Sequence, residues 1–561
     1  MNYELLTRKL NNRLNNDVTD IILSYLFIPK TYDELKKAVN EYYNVDCIEE
    51  MKIARKKYGK ISDWIVSRIT NMDNLFKNMT LINPSLSNWD VSNVESMCHM
   101  FSGCSKFNKD ISRWDVSKVK NMHSMFLSCK NFNKSLNDWN VSNVRVTIKM
   151  FAACENFNGD LFNWDVSNVR NMNGMFMLCS NFNSFIGEWD VSKVTSMKLM
   201  FYECVKFNQY IGNWDMSNVR NIQAMFDGAK LFNQYINNWD VSNVKSFCQL
   251  FRNAHYFNQP LNKWNVKNVT DMNEMFSKAV KFNKDINDWN VENVTHMIAM
   301  FGNAYSFNKP LNKWNTRSLK DISYMFNSAE NFNQNINSWD TSNIEHMSYT
   351  FHNAALYNSP LDKWNTSNVK NMDNLFSECK KFNMSVNNFD VSKIKSMEKM
   401  FCKCSNFNQP LDKWNVSNVV NMESMFEMSD FNQNINNWDV SNVINMESMF
   451  KNCNKYNSPL DKWNVSKVQN MKRMFESAIV FNKNINNWNV DSVMAHFNIF
   501  KGTHQLTQFN KINKFTKGAF FRKVADTESD SDSSYDSDDS DYTYITVSDV
   551  NESYDSSYSS D

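Results

Sequence analysis

Apolar residues recur along most of this chain with a period of 25, and each period opens on an aromatic residue. The series runs Trp64, Trp89, Trp114, Trp139, Trp164, Trp189 and on to Trp364. Phe389 takes the next place, and Trp414, Trp438, Trp463 and Trp488 follow, with one single-residue contraction before Trp438. This makes eighteen units, and all 17 tryptophans occupy the one slot. Counting from Trp89, the other apolar slots are +2 (Val91), +5 (Val94), +8 (Met97), +11 and +12 (Met100, Phe101), +15 (Cys104), +18 (Phe107) and +22 (Ile111). Trp and Val two apart point the same way in an extended chain, which predicts a short strand. The later steps of three, three and four follow one face of a helix, which predicts a short helix from Val94 to Cys104. Asp-Val-Ser-Asn lies at the change, where Asp and Ser can accept from the first free helical N–H groups. A repeat of this length marks a solenoid in which each unit buries its apolar face on its neighbours. With strands about 4.8 Å apart, eighteen rungs predict a rod roughly 85 Å long.

The most regular polar slot is +19, an asparagine in every unit from Asn83 through Asn108, Asn133, Asn158, Asn183 and Asn208 to Asn482. It reads as an asparagine ladder that pairs backbone groups at a bend, or as a ligand-binding row; a buried bend must pair its backbone groups in every unit. Slot +15 holds Cys104, Cys129, Cys154, Cys179, Cys204, Cys379, Cys404 and Cys453, but Ala in seven other units. A metal or redox site could not trade a ligand for a methyl group, so these thiols read as small core residues. Asp at +1 (Asp90, Asp115) gives way to Asn140 and Asn265, which capping tolerates and acid–base chemistry does not. The eight histidines follow no regular slot, none holding more than two of them, and no HExxH, Walker, GxSxG or GxGxxG motif is present. The expectation is no enzyme, no cofactor, no metal site and no small-molecule substrate.

From Pro260 on, neighbouring units differ: PLNKW or PLDKW alternates with INDW, INSW, VNNF and INNW. This places Lys263, Lys313, Lys363, Lys413 and Lys462 before the aromatic slot of every second rung. At about 10 Å apart they would form a positive stripe. It reads either as a solvated face inherited with duplicated unit pairs or as a docking stripe for an acidic partner.

Charge divides the chain. Residues 524–561 hold ten Asp and two Glu and no Lys or Arg, a charge of −12, which leaves +13 on residues 1–523 of a chain whose net charge is +1. The acidic Ser/Asp/Tyr-rich tail is too poor in apolar residues to fold and is expected to be disordered. Nucleic acid is an unlikely partner, because the basic charge is thinly spread and the tail opposes it. Residues 1–60 stand outside the repeat and predict a helical N-terminal cap, with capping-box spacings at Thr31–Glu34 and Asp46–Glu49 and a stop at Gly59. The solenoid is expected over residues 61–500 and a basic, aromatic C-terminal cap over 501–523. The start lacks a signal-peptide core and no run is long enough to span a membrane, so a cytoplasmic protein is expected.

The unit WDVSNVxNMxxMFxxCxxFNxxI resembles the repeat of the BspA-like leucine-rich-repeat surface protein family, from about Lys60 to Phe500. The resemblance implies an α/β repeat solenoid, a leucine-rich-repeat-like right-handed coil of short parallel strands and short helices, and a role in binding proteins or surfaces. Many members are secreted or lipid-anchored, and this chain lacks their signals; members without them occur in large DNA viruses and protists, which implies a host-cell cytoplasmic or virion location. LNNDVTDIILSYL at residues 14–26 resembles the opening of an F-box, which implies a Skp-type ligase component as partner. Three functions follow: a non-enzymatic protein–protein interaction scaffold, a ubiquitin-ligase substrate adaptor, and a surface or virion adhesin.

Overall fold

The computed structural model describes residues 3–13, 18–19, 26–43 and 47–503, and the structural statements below concern these residues. The acidic tail and most of the F-box-like stretch lie outside them.

Each 25-residue unit is one rung of a stacked coil. Parallel bridges join the same slot of successive rungs: Asn71 to Ser96, Ser96 to Asn121, and so on to Asn470 and Ala495. The bridged slot is +7, not the Trp-x-Val pair. At that pair the chain turns instead: Asp90 Oδ1 accepts from the Ser92 N–H at 3.1 Å, and Asn140 does the same for Ser142. These are Asx turns, which explains why Asp and Asn exchange freely at +1.

The predicted short helix from Val94 to Cys104 does not form. The N–H groups at +8, +10, +12 and +14 donate to the next rung: Met97 to Asn121 at 3.0 Å, His99 to His123 at 2.8 Å, Phe101 to Met125 at 2.8 Å and Gly103 to Leu127 at 2.7 Å. The alternate N–H groups close tight turns three residues back: Met100 on Met97, Ser102 on His99 and Cys104 on Phe101. A helix would spend every donor within its own rung. Dividing them keeps the apolar steps on one inward face and ties each rung to its neighbour. The geometry requires a left-handed residue third in two of the turns, at His99 (φ 54°) and Gly103 (φ 78°), as in a type II turn. Leu178, Tyr324 and Arg473 take the same positions on other rungs at φ 62°, 59° and 56°. A side chain there costs about 1–2 kcal/mol, offset by the short inter-rung bonds those same residues donate, 2.7 Å from Leu178 and 2.9 Å from Tyr324.

Inside the coil, equivalent side chains stack along the axis. Trp114 and Trp139 lie 6.4 Å apart at 4°, Phe101 and Phe126 5.6 Å apart at 6°, and Phe107 and Phe132 5.8 Å apart at 5°. The Trp, Phe, Met and +15 positions are almost fully buried. All twelve cysteines are free.

Helices α1 (Tyr3–Asn11), α2 (Tyr32–Tyr42) and α3 (Ile48–Tyr58) precede the coil. Thr31 caps α2 by accepting from the Glu34 N–H, as its spacing predicts. The second predicted box rests on Asp46, which lies outside the described residues; Cys47, which precedes α3, makes no side-chain cap bond. Gly59 ends α3 at φ 66°. The first rung has no predecessor to donate to its carbonyls. The Tyr32 hydroxyl reaches the Asp73 carbonyl at 2.5 Å, and the Lys36 ammonium reaches those of Asn74 and Leu75 at 2.6 and 2.9 Å. Phe27, Tyr42 and Tyr58 cover the Trp64 ring. No described helix is long and apolar enough to cross a membrane.

Candidate functional site

The regular polar slots are occupied by the fold itself. The backbone N–H of Asn108 donates to Asn83 Oδ1 at 3.0 Å, Asn133 to Asn108 at 3.0 Å, Asn158 to Asn133 at 2.9 Å, Asn183 to Asn158 at 2.7 Å and Asn208 to Asn183 at 2.9 Å. The series continues to Asn482 on Asn457. Every amide oxygen from Asn83 to Asn457 thus serves the rung above it, while that of Asn482 is buried without a partner among the described residues. The indoles do related work. Trp89, Trp114, Trp139, Trp164 and Trp189 each donate Nε1–H to the carbonyl 28 residues back, at 2.8, 3.0, 3.0, 2.8 and 3.1 Å. Two further features were invisible in the sequence. Asn at +4 donates to the +3 carbonyl of the rung below, Asn93 to Ser67 and Asn143 to Ser117. Each +15 thiol donates to the carbonyl of a buried Phe, Cys129 to Phe101 at 3.0 Å for example, so the slot also favours a weak donor.

The lysine stripe is partly tied down. Lys313 Nζ pairs with Asp288 at 2.7 Å, while Lys263 and Lys462 donate to Asn238 and Asn437. The rungs between place these neutral or acidic partners beside the lysines, so the positive charges are separated by neutral groups and by Asp288. Lys363 and Lys413 have no side-chain partner among the described residues. The two-unit alternation has a structural cause. Asn237, Asn287, Asn337, Asn387 and Asn436 each accept from the backbone N–H of the next rung's lysine. The same amides donate Nδ2–H to Asn262, Asn312, Asp362, Asp412 and Asp461. Rungs are clamped in pairs by this exchange, and the lysine lies on the second member of each pair.

What varies is the strip beside the bridges. Slot +9 reads Asp73, Cys98, His123, Ile148, Asn173 and Lys198 on successive rungs, all half-buried. Mid-strip, the Arg252 guanidinium bridges Asp227 (2.7 Å) and Glu274 (2.8 Å), and Asn253 also donates to Asp227. Asp227 is fully buried, and that burial holds its carboxyl above the usual range despite the arginine. Burial, with the Asp227 charge second, raises Glu203 nearby. Further along, Lys403–Glu378, Lys451–Glu427 and Lys472–Glu447 pair across rungs at 2.9, 3.0 and 3.1 Å. Two open clefts flank the coil. One of about 620 Å³ is lined by asparagines of slots +17 and +19, including Asn131, Asn158 and Asn181, and by Lys206. The other, about 580 Å³, holds Arg317, Lys320, Glu345, Lys370 and Lys393.

Five overlapping stretches, residues 46–162, 147–261, 232–338, 323–430 and 413–515, match the family described as "Mycoplasma protein of unknown function, DUF285". Among solved structures, the chain is similar to a leucine-rich repeat protein from Eubacterium ventriosum at 15% identity, covering 63% of this chain and 85% of that one with a TM-score of 0.31. It is also similar to the TLR13–ssRNA13 complex at 10% identity, covering 78% and 75% with a TM-score of 0.15. No curated protein matches. Scores this low leave the family match to place the chain.

Proposed function

Because this chain belongs to the DUF285 family, whose match runs from residue 46 to residue 515, we propose that it is a non-enzymatic protein–protein interaction scaffold. The strip beside the bridges reads the partner, and the stacked core holds that strip rigid. One observation supports this most: identical backbone on successive rungs carries unlike side chains at +9, Asp73, Cys98, His123 and Ile148 among them. A binding surface needs such variety on a rigid support, whereas catalysis needs a few groups converging at one point. An acidic segment of the partner meets the unpaired ammonium groups of Lys363 and Lys413.

Tyr324 and Tyr349 stack at 4.6 Å on this strip and make a suitable handle. Proximity labelling in producing cells should lose its enriched neighbours in the double variant Tyr324→Ala/Tyr349→Ala when compared with the unaltered chain. Enrichment that survives this change and its Lys363→Ala/Lys413→Ala counterpart alike would remove the support for the reading.

A further inference from the structure

We propose that the bend carrying Phe162, Phe185, Tyr210 and Tyr235 binds a neutral glycan chain laid across successive rungs. Slot +21 is elsewhere polar or proline, as in Asp110, Ser135, Pro260, Asp285 and Pro310, but on three consecutive rungs it is Phe185, Tyr210 and Tyr235. Phe162 joins from the rung before, its ring 5.7 Å from that of Phe185. Phe162 is 51% exposed, and Phe185 and Tyr210 are 39% exposed. Large aromatic side chains left in water on adjacent rungs are an unusual arrangement; Tyr256, Tyr305 and Phe497 are also exposed but occupy other slots.

Glycine makes the platform possible. A Cβ at Gly187 would stand 2.5 Å from the Tyr210 carbonyl oxygen and 3.2 Å from the Phe185 ring. At Gly212 it would stand 2.5 Å from the Tyr235 carbonyl oxygen and 2.7 Å from Tyr210 Oη. The rings therefore lie against bare backbone, and a chain with only ten glycines places two of them here. The Tyr210 hydroxyl donates to Asn213 Oδ1 at 3.3 Å, which fixes that ring further.

The surroundings select the ligand. The four bend segments, residues 159–163, 184–188, 209–213 and 234–238, contain Asp160 and Glu188 but no lysine or arginine, although residues 1–523 carry +13. Stacked nucleobases would bring a phosphate for every base, and beside the aromatic rings the bend segments supply no cation to meet them. The cleft of about 620 Å³, lined by amides and by Lys206, includes Asn183, two residues from Phe185. The ladder uses the Oδ1 atoms of Asn133 and Asn158, and among the described residues their Nδ2 donors have no protein acceptor. Rings that offer a C–H face to an aromatic side chain and hydroxyls to amides are pyranoses.

The test is affinity electrophoresis of the full chain in native gels containing hydroxyethylcellulose, xylan, glycol chitin or mannan. At least one polysaccharide should retard the protein. Phe185→Ala/Tyr210→Ala should weaken that retardation about tenfold, the loss expected on truncating two aromatic anchors. Phe185→Trp/Tyr210→Trp should preserve it. An unaltered unfolding midpoint in the alanine variant separates lost binding from lost folding. The proposal is overturned by no retardation in any of the four gels, or by equal retardation of the alanine variant. It is equally overturned if light scattering shows a dimer that the alanine variant abolishes without any polysaccharide effect, since the patch would then cover a second copy of the chain.

Discussion

Residues 159–238 and 260–463 follow the same bend and differ only in what they place on it. In the first stretch, glycine lets Phe185 and Tyr210 lie against the backbone. In the second, paired amides such as Asn337 with Asp362 lock alternate rungs, and proline and lysine fill the surface. Beneath both, the core is the same. Trp189 donates to Leu161 at 3.1 Å and Trp339 to Leu311 at 2.9 Å, and the asparagine ladder passes through both stretches without a gap. Folding constraints therefore reside in the interior ladders, and the bend is free to carry a different surface on each group of rungs. That freedom lets one repeat combine a fixed interior with a varied surface.

The comparison breaks first if the two cores are not equivalent. Trp189→Ala and Trp339→Ala should each cost about 3–5 kcal/mol in chemical unfolding, by loss of a buried aromatic side chain, and the two losses should agree. A large loss in one stretch only would show that the cores differ. Next, Asn158→Ala and Asn333→Ala each strand a backbone N–H, that of Asn183 and that of Asn358. Each should cost about 1–3 kcal/mol. Asn337→Ala sharpens the contrast, because the second stretch repeats this clamp on every second rung, whereas in the first Gly187 and Gly212 take its slot. It removes the acceptor of the Lys363 N–H at 2.9 Å and should cost about 1 kcal/mol, whereas Asn213→Ala, at the exposed edge of the first stretch, should change stability by less than about 0.5 kcal/mol.

The smallest effect at neutral pH concerns the thiols. Burial pushes Cys104 and Cys453 up to about 12 from 9.0. Their thiol form is favoured by folding, so the unfolded chain loses these protons first. This contributes nothing to the pH dependence below about pH 8 and lowers stability as pH rises above 9. A thiol reagent at pH 8 should label half-exposed Cys47 well before any +15 cysteine. Equal labelling would mean that the coil opens between rungs.

The period, the stacked tryptophans and the asparagine ladder were legible in the sequence because each repeats one residue type at one spacing. The left-handed turns were not. They hold Leu178, Tyr324 and Arg473 rather than glycine, because the inter-rung bond and not the local preference of the residue decides the conformation there. Steps of three and four pointed to a helix for the same reason: turns that donate to the next rung share that inward spacing. The alternation after Pro260 was visible, but its cause lay in amides such as Asn237, whose partner Asn262 is 25 residues away. The aromatic patch escaped notice because Phe185, Tyr210 and Tyr235 break the repeat rather than follow it.

Hydrogen exchange measured by mass spectrometry on the full chain tests the stacked coil most directly. Segments covering slots +6 to +19 should be slow to exchange on every internal rung, since their donors bond across rungs, and the bends at +20 to +24 should be faster. Fast exchange throughout any internal block of rungs would contradict a single continuous coil.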